Sequence, residues 1–339
     1  MNNVLVIGFY GFRDGYWAYG KYLKKKFDHV GFFPLVELRD RLLEENKNFN
    51  VEDLKKVIEG KLENKNLYSD NLIIQDIKYN NIIVSHNNDF LNIFKLGDDN
   101  FFDKMIEWKE ILNFKLFQIN WDADPKNISF EKSKYFNKIF CSNPLYLINN
   151  NTEYFRTGFC KETSFYKELE DYKCDVSFVG TNLYESGWEN DTLTRRKILD
   201  KIYQEKKISL HVYGPEFLKE LYPENYKGFI PYDECYKVFS NSRINLNISP
   251  INTVEYKGKY YYSERMPQIF GCDGIMMSNN DYGDMLEKNV EYLYLDDIDN
   301  LINMILEYKG GIKRLQMLQK IKNKKVMFDY EKIIDNLNL

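Results

Sequence analysis

One short stretch in the last quarter of the chain has the residue types that hold a phosphate group. Ser263, Glu264 and Arg265 lie at the predicted start of a helix, with Gln268 one turn further on. The free N–H groups of a helix start favour an anion, and a guanidinium can hold a diphosphate through two parallel hydrogen bonds. We therefore predict that Ser263 caps this helix, that Tyr262, Glu264 and Gln268 contact the ligand, and that Arg265 stabilises a departing nucleotide.

Small residues follow other predicted strands of the same half of the chain. Ligands of open α/β sheets bind beyond the carboxyl ends of the strands, where small residues let a ligand approach the backbone. These positions predict a set of nucleotide-binding residues, which are Gly180, Thr181, Gly214, Pro215, Ile230, Tyr232 and Ser249.

Histidine and aspartate side chains that follow predicted strands of the first half are candidates for a general base. His86 and Asp89 follow one such strand, Asp122 follows another, and Asp14 lies in a glycine-containing loop after the first strand. A base at these points can take the proton of an acceptor hydroxyl. We rank them His86, Asp89, Asp122 and Asp14, and a reaction that retains configuration needs none of them. A structural histidine and an ordinary glycine turn are the alternatives.

The elements that position these residues alternate between short apolar runs and helical patterns, which is typical of a doubly wound α/β chain. One series begins at Val4–Gly8 and a second at Cys174–Gly180. Because 339 residues exceed the usual size of a single core, we predict two domains. Their predicted bounds are 1–160 and 170–324, with a C-terminal helix at 325–339 that packs back on the first domain.

The same patterns predict the individual elements. Further strands are predicted at 82–85, 114–119, 138–141, 208–214, 243–248, 274–278 and 291–295. Helices are predicted at 16–27, 193–204, 232–239, 263–270 and 298–308.

Composition and charge narrow the class of protein. Hydrophobic residues make up 44% and charged residues 29%, and the net charge of −4 gives no global attraction to nucleic acid. The N-terminus has neither the basic region nor the apolar length of a signal peptide. The five cysteines lie far apart and the three histidines cluster with none of them. We therefore predict a cytoplasmic protein with no metal site, no nucleic-acid partner and no integral membrane segment.

The order of motifs in the second half resembles the CgeB-like, group-1 glycosyltransferases. The resemblance spans about 172–308 and rests on Asp175–Gly180, Val212–Gly214, Gly228 before Tyr232, Asn245–Asn247, Ser263–Arg265 and Gly271-Cys272. It implies an α/β protein of the GT-B type, with two Rossmann-like doubly wound domains that face each other across a cleft. It also implies that the second domain holds a nucleotide sugar and that no metal is required.

The activity that the resemblance implies is transfer of a sugar from a nucleoside-diphosphate sugar to a hydroxyl group. The acceptor is a glycan, a glycoprotein or a small molecule, and the nucleotide sugar is a co-substrate, with no further cofactor. Where the family has a carboxylate three residues after the arginine, this chain has the uncharged Gln268. Two alternatives therefore stay open: a GT-B-type sugar-nucleotide epimerase, and a non-catalytic sugar- or nucleotide-binding protein.

Two further groups of charged residues are interpreted as structural. Asp122 and Asp124 form an Asp-x-Asp pattern that other glycosyltransferases use to hold a metal and a diphosphate. Since the chain alternates strands and helices in the GT-B manner, we interpret this pattern as a wall of the cleft. We interpret Lys161 and Arg195 as solvated surface cations, because most lysines and arginines are exposed; the alternative is that they add positive charge near the diphosphate.

Overall fold

The computed structural model describes most of the chain, in two compact units. The described residues are 2–8, 21–34, 51–61, 77–85, 95–96, 99–120, 133–144, 147, 151–183, 194–249, 255–256, 258–337 and 339. The first unit comprises 1–156 with 334–339, and the second comprises 157–333. Residues 157–169 and 325–333 thus belong to the second unit.

The first unit is built on a parallel sheet. Its strands are β1 (Asn3–Gly8), β2 (His29–Pro34), β3 (Asn81–Ser85), β4 (Lys95–Leu96), β5 (Asp99–Asn100), β6 (Lys115–Asn120), β7 (Lys138–Cys141) and β8 (Thr152–Tyr154). Six of them pair in the order β2-β1-β3-β6-β7-β8, and β4 and β5 form a small antiparallel pair. Its helices include α1 (Val51–Glu59) and α2 (Phe101–Leu112).

Burial on both faces explains the sequences of the central strands in this unit. Val4 to Ile7 and Ile82 to Val84 are continuous apolar runs, and all of these residues are buried. A parallel strand covered by helices on both faces is apolar throughout rather than alternating. The core adds aromatic side chains from α2, including Phe101 and Trp108.

The second unit repeats the same architecture. Its strands are β9 (Cys174–Val179), β10 (Leu210–Tyr213), β11 (Ser242–Leu246), β12 (Glu255–Tyr256), β13 (Lys259–Tyr260), β14 (Met276–Ser278) and β15 (Leu293–Tyr294). Its helices are α3 (Arg195–Gln204), α4 (Phe217–Leu221), α5 (Tyr236–Phe239), α6 (Arg265–Gly271), α7 (Leu301–Tyr308) and α8 (Gly311–Lys324), and α9 (Tyr330–Asp335) begins in this unit. The parallel sheet has the order β10-β9-β11-β14-β15, and β12 pairs with β13 as an antiparallel hairpin.

The strand order of the second sheet fixes where a ligand is expected. From β9 the chain passes to β10 on one side and then to β11 on the other, so the direction of winding reverses between β9 and β11. Open α/β sheets bind ligands at this switch point, beyond the carboxyl ends of the two strands. The residues that follow these strands are Gly180 and Asn247.

The α/β class, the two parallel sheets and all of the predicted strands are confirmed, with bounds that shift by up to two residues. The pattern missed β2, whose sequence contains Gly31 and ends at Pro34. It also missed β8 and the two hairpins. The predicted helix at 16–27 lies largely outside the described residues. Among those described, no helix is both long and apolar enough to cross a membrane.

Candidate functional site

Two glycines bring the ends of β9 and β10 close together. Gly180 donates its N–H to the carbonyl of Tyr213, and Gly214 donates its N–H to the carbonyl of Gly228. A Cβ atom at Gly214 would lie 2.2 Å from the carbonyl oxygen of Gly180. Position 214 therefore has no room for a side chain, and the strand ends present backbone rather than side chains at this point.

Asn247 is the central polar residue at the carboxyl end of β11. It is only 2% exposed, and its Oδ1 accepts hydrogen bonds from Ser263 Oγ at 2.8 Å and from an Arg265 guanidinium nitrogen at 3.4 Å. Its Nδ2 lies 3.4 Å from the hydroxyl of Tyr282. One buried amide therefore joins β11 to the segment that enters α6.

A network of neutral polar groups supports Asn247 from β14 and the segment after it. Ser278 Oγ donates to the carbonyl of Asn247 at 3.0 Å and lies 3.1 Å from the hydroxyl of Tyr282. The hydroxyl of Tyr292 donates to the carbonyl of Asn280. Burial raises the pKa of Tyr282 to about 12, and hydrogen bonds with Ser278, Asn280 and Asn247, followed by the charge of Arg265, offset only part of this rise. The hydroxyl of Tyr282 thus stays protonated at neutral pH.

Arg265 lies in the first turn of α6, as predicted, but the helix begins two residues later than predicted and Ser263 does not cap it. The N-cap position is Glu264, whose side chain makes no capping bond in the described structure. The hydroxyl of Ser263 is directed to Asn247 instead. The Ser263 hydroxyl, which the local pattern predicted to cap the helix, therefore donates to Asn247 Oδ1 instead. Arg265 donates to the same amide oxygen.

Two residues predicted to contact the ligand are buried. Tyr262 is 3% exposed, and its hydroxyl donates to the carbonyl of Thr157 at 2.9 Å. Its ring packs edge-on against Phe328. Gln268 is 6% exposed. The hydroxyl of Tyr262 therefore serves the core of the second unit, and a ligand role for Gln268 stays a prediction.

The prediction that Arg195 is a solvated surface cation is wrong. It is buried, and its guanidinium donates to the carbonyl of Ile248 at 2.8 Å and to that of Asn182 at 2.7 Å. The guanidinium thereby links the chain after β9 to the chain after β11. Lys161 is largely exposed, as expected, and forms ion pairs with Asp329 and Glu331.

The remaining predicted binding residues lie along the same edge of the sheet and differ in their exposure. Thr181 is exposed and Ile230 is buried. The half-buried residues are Pro215, Tyr232, Ser249 and Glu264. The backbone of Ser249 is held on both sides by the side chain of Asn279, which accepts from its N–H and donates to its carbonyl.

The candidate bases of the first half lie outside the described residues. His86, Asp89, Asp14 and Asp122 all belong to undescribed segments. Their sequence positions follow described strands, and β1 and β3 are neighbours in which Gly8 lies opposite Ser85. The last described residues before Asp14 and before His86 therefore lie side by side in the sheet. Among described residues, no group of three acidic, histidine or cysteine side chains could hold a metal ion.

Reasoning from sequence assigned no site role to the supporting residues Asn247, Asn279 and Tyr282, although Asn247 belongs to a motif that carries the family resemblance. Asn247 carried a signal, since a polar residue directly after an apolar strand lies at the edge where ligands bind. The other two contact the site only through the packing of β14 beside β11, which the local pattern does not show.

Comparisons with known proteins support this fold. Residues 194–328 match a family model described as glycosyl transferase-like. The structure of HepE from Anabaena, in complex with UDP and glucose, superposes with a TM-score of 0.60 at 10% identity and covers 99% of this chain and 98% of its own. Sucrose-phosphate synthase from Thermosynechococcus elongatus gives a TM-score of 0.59 at 11% identity, covering 98% and 96%. No curated protein matches in sequence.

The predicted glycosyltransferase-like resemblance and the GT-B fold class are thereby confirmed. The N-terminal domain of trehalose-6-phosphate phosphatase from Candida albicans shares the fold as well, with a TM-score of 0.53 at 8% identity over 98% of this chain and 95% of its own. At these identities the likeness concerns the fold, because one scaffold carries many activities.

Proposed function

We propose that this chain, whose residues 194–328 match the glycosyl transferase-like family model, transfers a sugar from a nucleoside-diphosphate sugar to a hydroxyl group. The observation that carries the proposal is the shared contact of Ser263 and Arg265 with the amide oxygen of Asn247. This contact lies at the switch point of the second sheet, where nucleotides bind in proteins of this architecture.

The chemistry requires a positive group near the diphosphate. In the transfer, the bond between the anomeric carbon and the diphosphate oxygen breaks, and a bond from that carbon to the acceptor oxygen forms. The nucleoside diphosphate departs with an added negative charge, which a positioned guanidinium stabilises. We assign this role to Arg265, because Asn247 fixes it from a buried strand end.

Close approach of the nucleotide to the backbone follows from the two glycines. The N–H and carbonyl groups around Gly180 and Gly214 can contact a ligand that a side chain at these positions would exclude. We propose that polar and small residues that follow the strands of this edge contact the bound nucleotide. Ile230 contributes an apolar surface to the same site. The polar and small residues are Thr181, Pro215, Tyr232, Ser249 and Glu264.

The acceptor hydroxyl must lose a proton to a base or to the departing diphosphate. We propose His86 as the first candidate for that base, then Asp89, Asp122 and Asp14, at positions that follow β3, β6 and β1. Because Arg265 supplies the positive charge that a divalent cation supplies elsewhere, we propose that transfer does not need a metal.

A screen of nucleotide sugars tests the proposal. Purified protein is incubated with UDP, GDP, ADP, CMP and dTDP sugars and a set of hydroxyl acceptors in EDTA, and release of the nucleotide is measured. UDP sugars come first, since the HepE structure contains UDP and glucose. We expect one donor class to turn over, and Arg265→Ala to lower kcat about 10²- to 10³-fold.

A matched arginine controls for loss of charge. Arg196 is a surface residue of α3 that pairs with Asp200, and Arg196→Ala should retain the activity of the unaltered protein. Equal turnover by Arg265→Ala and Arg196→Ala would remove the assignment of Arg265.

A non-catalytic binding protein is the second candidate, favoured by the buried, uncharged Gln268. It predicts that a nucleotide sugar raises Tm without any turnover. An epimerase is distinguished by the products formed when no acceptor is present.

A further inference from the structure

A cavity of about 550 Å³ opens at the amino edge of the second sheet, at the opposite ends of the strands from Asn247 and Arg265. Its walls come from the start of β9, the start of β11 and the start of α8. This volume lies within the range of about 300–1,000 Å³ that is usual for small-molecule sites. The proposed donor site uses none of its residues.

The lining of this cavity carries an excess of positive charge. Among the described residues that line it, four are basic and two are acidic: Lys173, Arg243, Lys309 and Arg314 against Glu168 and Asp175. This excess stands against a net charge of −4 for the whole chain. The cavity is therefore locally suited to an anion, in a protein with no general attraction for one.

Both acidic residues are already engaged by neighbours. Glu168 pairs with Lys173 at 2.7 Å. Asp175 pairs with Lys309 at 3.1 Å and with Arg243 at 3.5 Å, and it also accepts the N–H of Ser209 at 3.1 Å. The two carboxylates thus account for the other three cations and leave Arg314 uncompensated.

Arg314 has the least favourable surroundings of these cations. Its Nε is buried and has no hydrogen-bond partner among the described residues, which also offer it no ion pair within 4.0 Å. Burial and then the like charge of Arg243 lower the pKa of its guanidinium. A buried donor without a partner and two facing cations both cost stability, and a bound anion would relieve both.

The start of α8 adds to the same positive field. Gly310 occupies the N-cap position without a capping side chain, and the first turn contains no acidic residue. Cations are unfavourable at a helix start, because the N–H groups there carry partial positive charge. Lys313 is compensated by an ion pair with Glu307, whereas Arg314 is not.

We propose that this cavity binds the phosphoryl group of a small phosphorylated ligand. Arg314 and Arg243 contact the phosphoryl oxygens from two sides, and the first N–H groups of α8 complete the site. Arg243 is held in place for this task, since one guanidinium nitrogen donates to the carbonyl of Lys309 at 2.7 Å. Tyr166 and Leu315 offer surface for the remainder of the ligand.

Calorimetric titration with inorganic phosphate tests the proposal, with ionic strength held constant by sodium chloride. We expect saturable binding by the unaltered protein and at least about ten-fold weaker binding by Arg314→Gln, which loses a charge-assisted bond. Lys313→Gln is the matched control from the same turn and should bind as the unaltered protein does. Absence of saturable binding, or equal affinity in Arg314→Gln, would overturn the proposal.

Two further measurements distinguish a phosphate site in the cavity from binding at the donor site and from a purely structural role of Arg314. Arg265→Ala should bind phosphate at the amino edge with unchanged affinity. Loss of phosphate binding in Arg265→Ala would assign the phosphate to the donor site and refute the cavity.

Without phosphate, Arg314→Gln should keep or raise Tm, because the substitution removes the repulsion of Arg314 by the positive helix start. A fall in Tm together with unchanged phosphate affinity would make Arg314 a structural cation. If Arg314→Gln does not fold, Arg314→Lys keeps the charge and should bind several-fold more weakly.

Vesicles identify the source of the phosphoryl group. Flotation with phosphatidylglycerol vesicles, compared with phosphatidylcholine vesicles, tests a lipid headgroup as the ligand. Association with the anionic vesicles that is lost in Arg314→Gln would assign the site to a headgroup, next to the exposed Ile312. Phosphate binding without vesicle association would assign the site to a soluble ligand. If the protein binds neither phosphate nor the anionic vesicles, the proposed site is refuted.

Discussion

The two edges of the second sheet hold their cations in different ways. At the carboxyl edge, Arg265 contacts the neutral amide of Asn247, which is buried and supported by hydroxyl groups. At the amino edge, Arg243 and Lys309 face Asp175 in a wall that is open to solvent. A neutral buried network fixes geometry at any ionic strength, whereas ion pairs near solvent weaken as salt rises. The first arrangement suits a reacting centre, and the second suits reversible capture of an anion.

The largest effect on stability is expected from a substitution at Gly214, where the backbones of two segments lie close together at the carboxyl edge. Gly214→Ala places a Cβ 2.2 Å from the carbonyl oxygen of Gly180, and neither atom can rotate away. We expect a loss of about 3 kcal/mol in the free energy of unfolding, since overpacking moves the backbone. Urea denaturation measures it.

Gly228→Ala is the matched control for this substitution. It has a φ of +93° but no described atom within 4 Å of the added Cβ, so it should cost about 1–2 kcal/mol. Equal costs for the two variants would show that close approach at Gly214 is not what shapes this edge.

Asn247→Ala tests the neutral network. It removes the acceptor of Ser263 and Arg265 and leaves buried polar groups unpaired, so we expect a loss of about 2 kcal/mol. The loss should be the same in low-salt buffer and after addition of sodium chloride. A loss that shrinks with salt would mean that charge, rather than hydrogen bonding, holds this edge.

Asp175→Asn is the corresponding test at the amino edge. It leaves Arg243 and Lys309 next to Arg314 without their carboxylate, so we expect a loss of about 1.5 kcal/mol at low salt. Here the loss should shrink in about 0.5 M sodium chloride, where the Debye length falls to a few ångströms. If the loss of stability in Asp175→Asn did not change with salt, the two edges would not differ in how they hold their cations.

Tyr262→Phe gives the smallest expected effect and separates a core role from a ligand role. Removing the hydrogen bond to Thr157 should lower the free energy of unfolding by about 1 kcal/mol. Nucleotide affinity, measured by calorimetry, should not change. Weaker nucleotide binding with unaltered stability would mean that the Tyr262 hydroxyl contacts the nucleotide, as the sequence predicted.

The central strands of both sheets were predictable because each depends on a local pattern, whereas β2, β8 and the two hairpins lack a clear one. Apolar runs such as Val4 to Ile7 mark buried parallel strands wherever they occur, and strand ends then point to Gly180 and Gly214. The direction of individual side chains was not predictable in the same way. Tyr262 reaches Thr157, which is 105 residues away in the chain. Arg195 is buried because carbonyl groups after two separate strands accept its hydrogen bonds.

Ser263 shows how tertiary contacts override a local signal. A serine before a helix predicts a cap, yet the amide of Asn247 captures its hydroxyl. The same competition hid Asn247 itself, whose importance depends on partners from β14 and α6 that lie far along the chain.

Calorimetric titration of UDP, GDP, ADP and dTDP in EDTA tests the central claim most directly, on the unaltered protein, Arg265→Ala and Arg314→Gln. We expect one diphosphate to bind, Arg265→Ala to bind it at least about ten-fold more weakly through loss of a charge-assisted bond, and Arg314→Gln to bind it equally well. Equal affinity in Arg265→Ala, or a loss confined to Arg314→Gln, would contradict a donor site at the carboxyl edge of the second sheet.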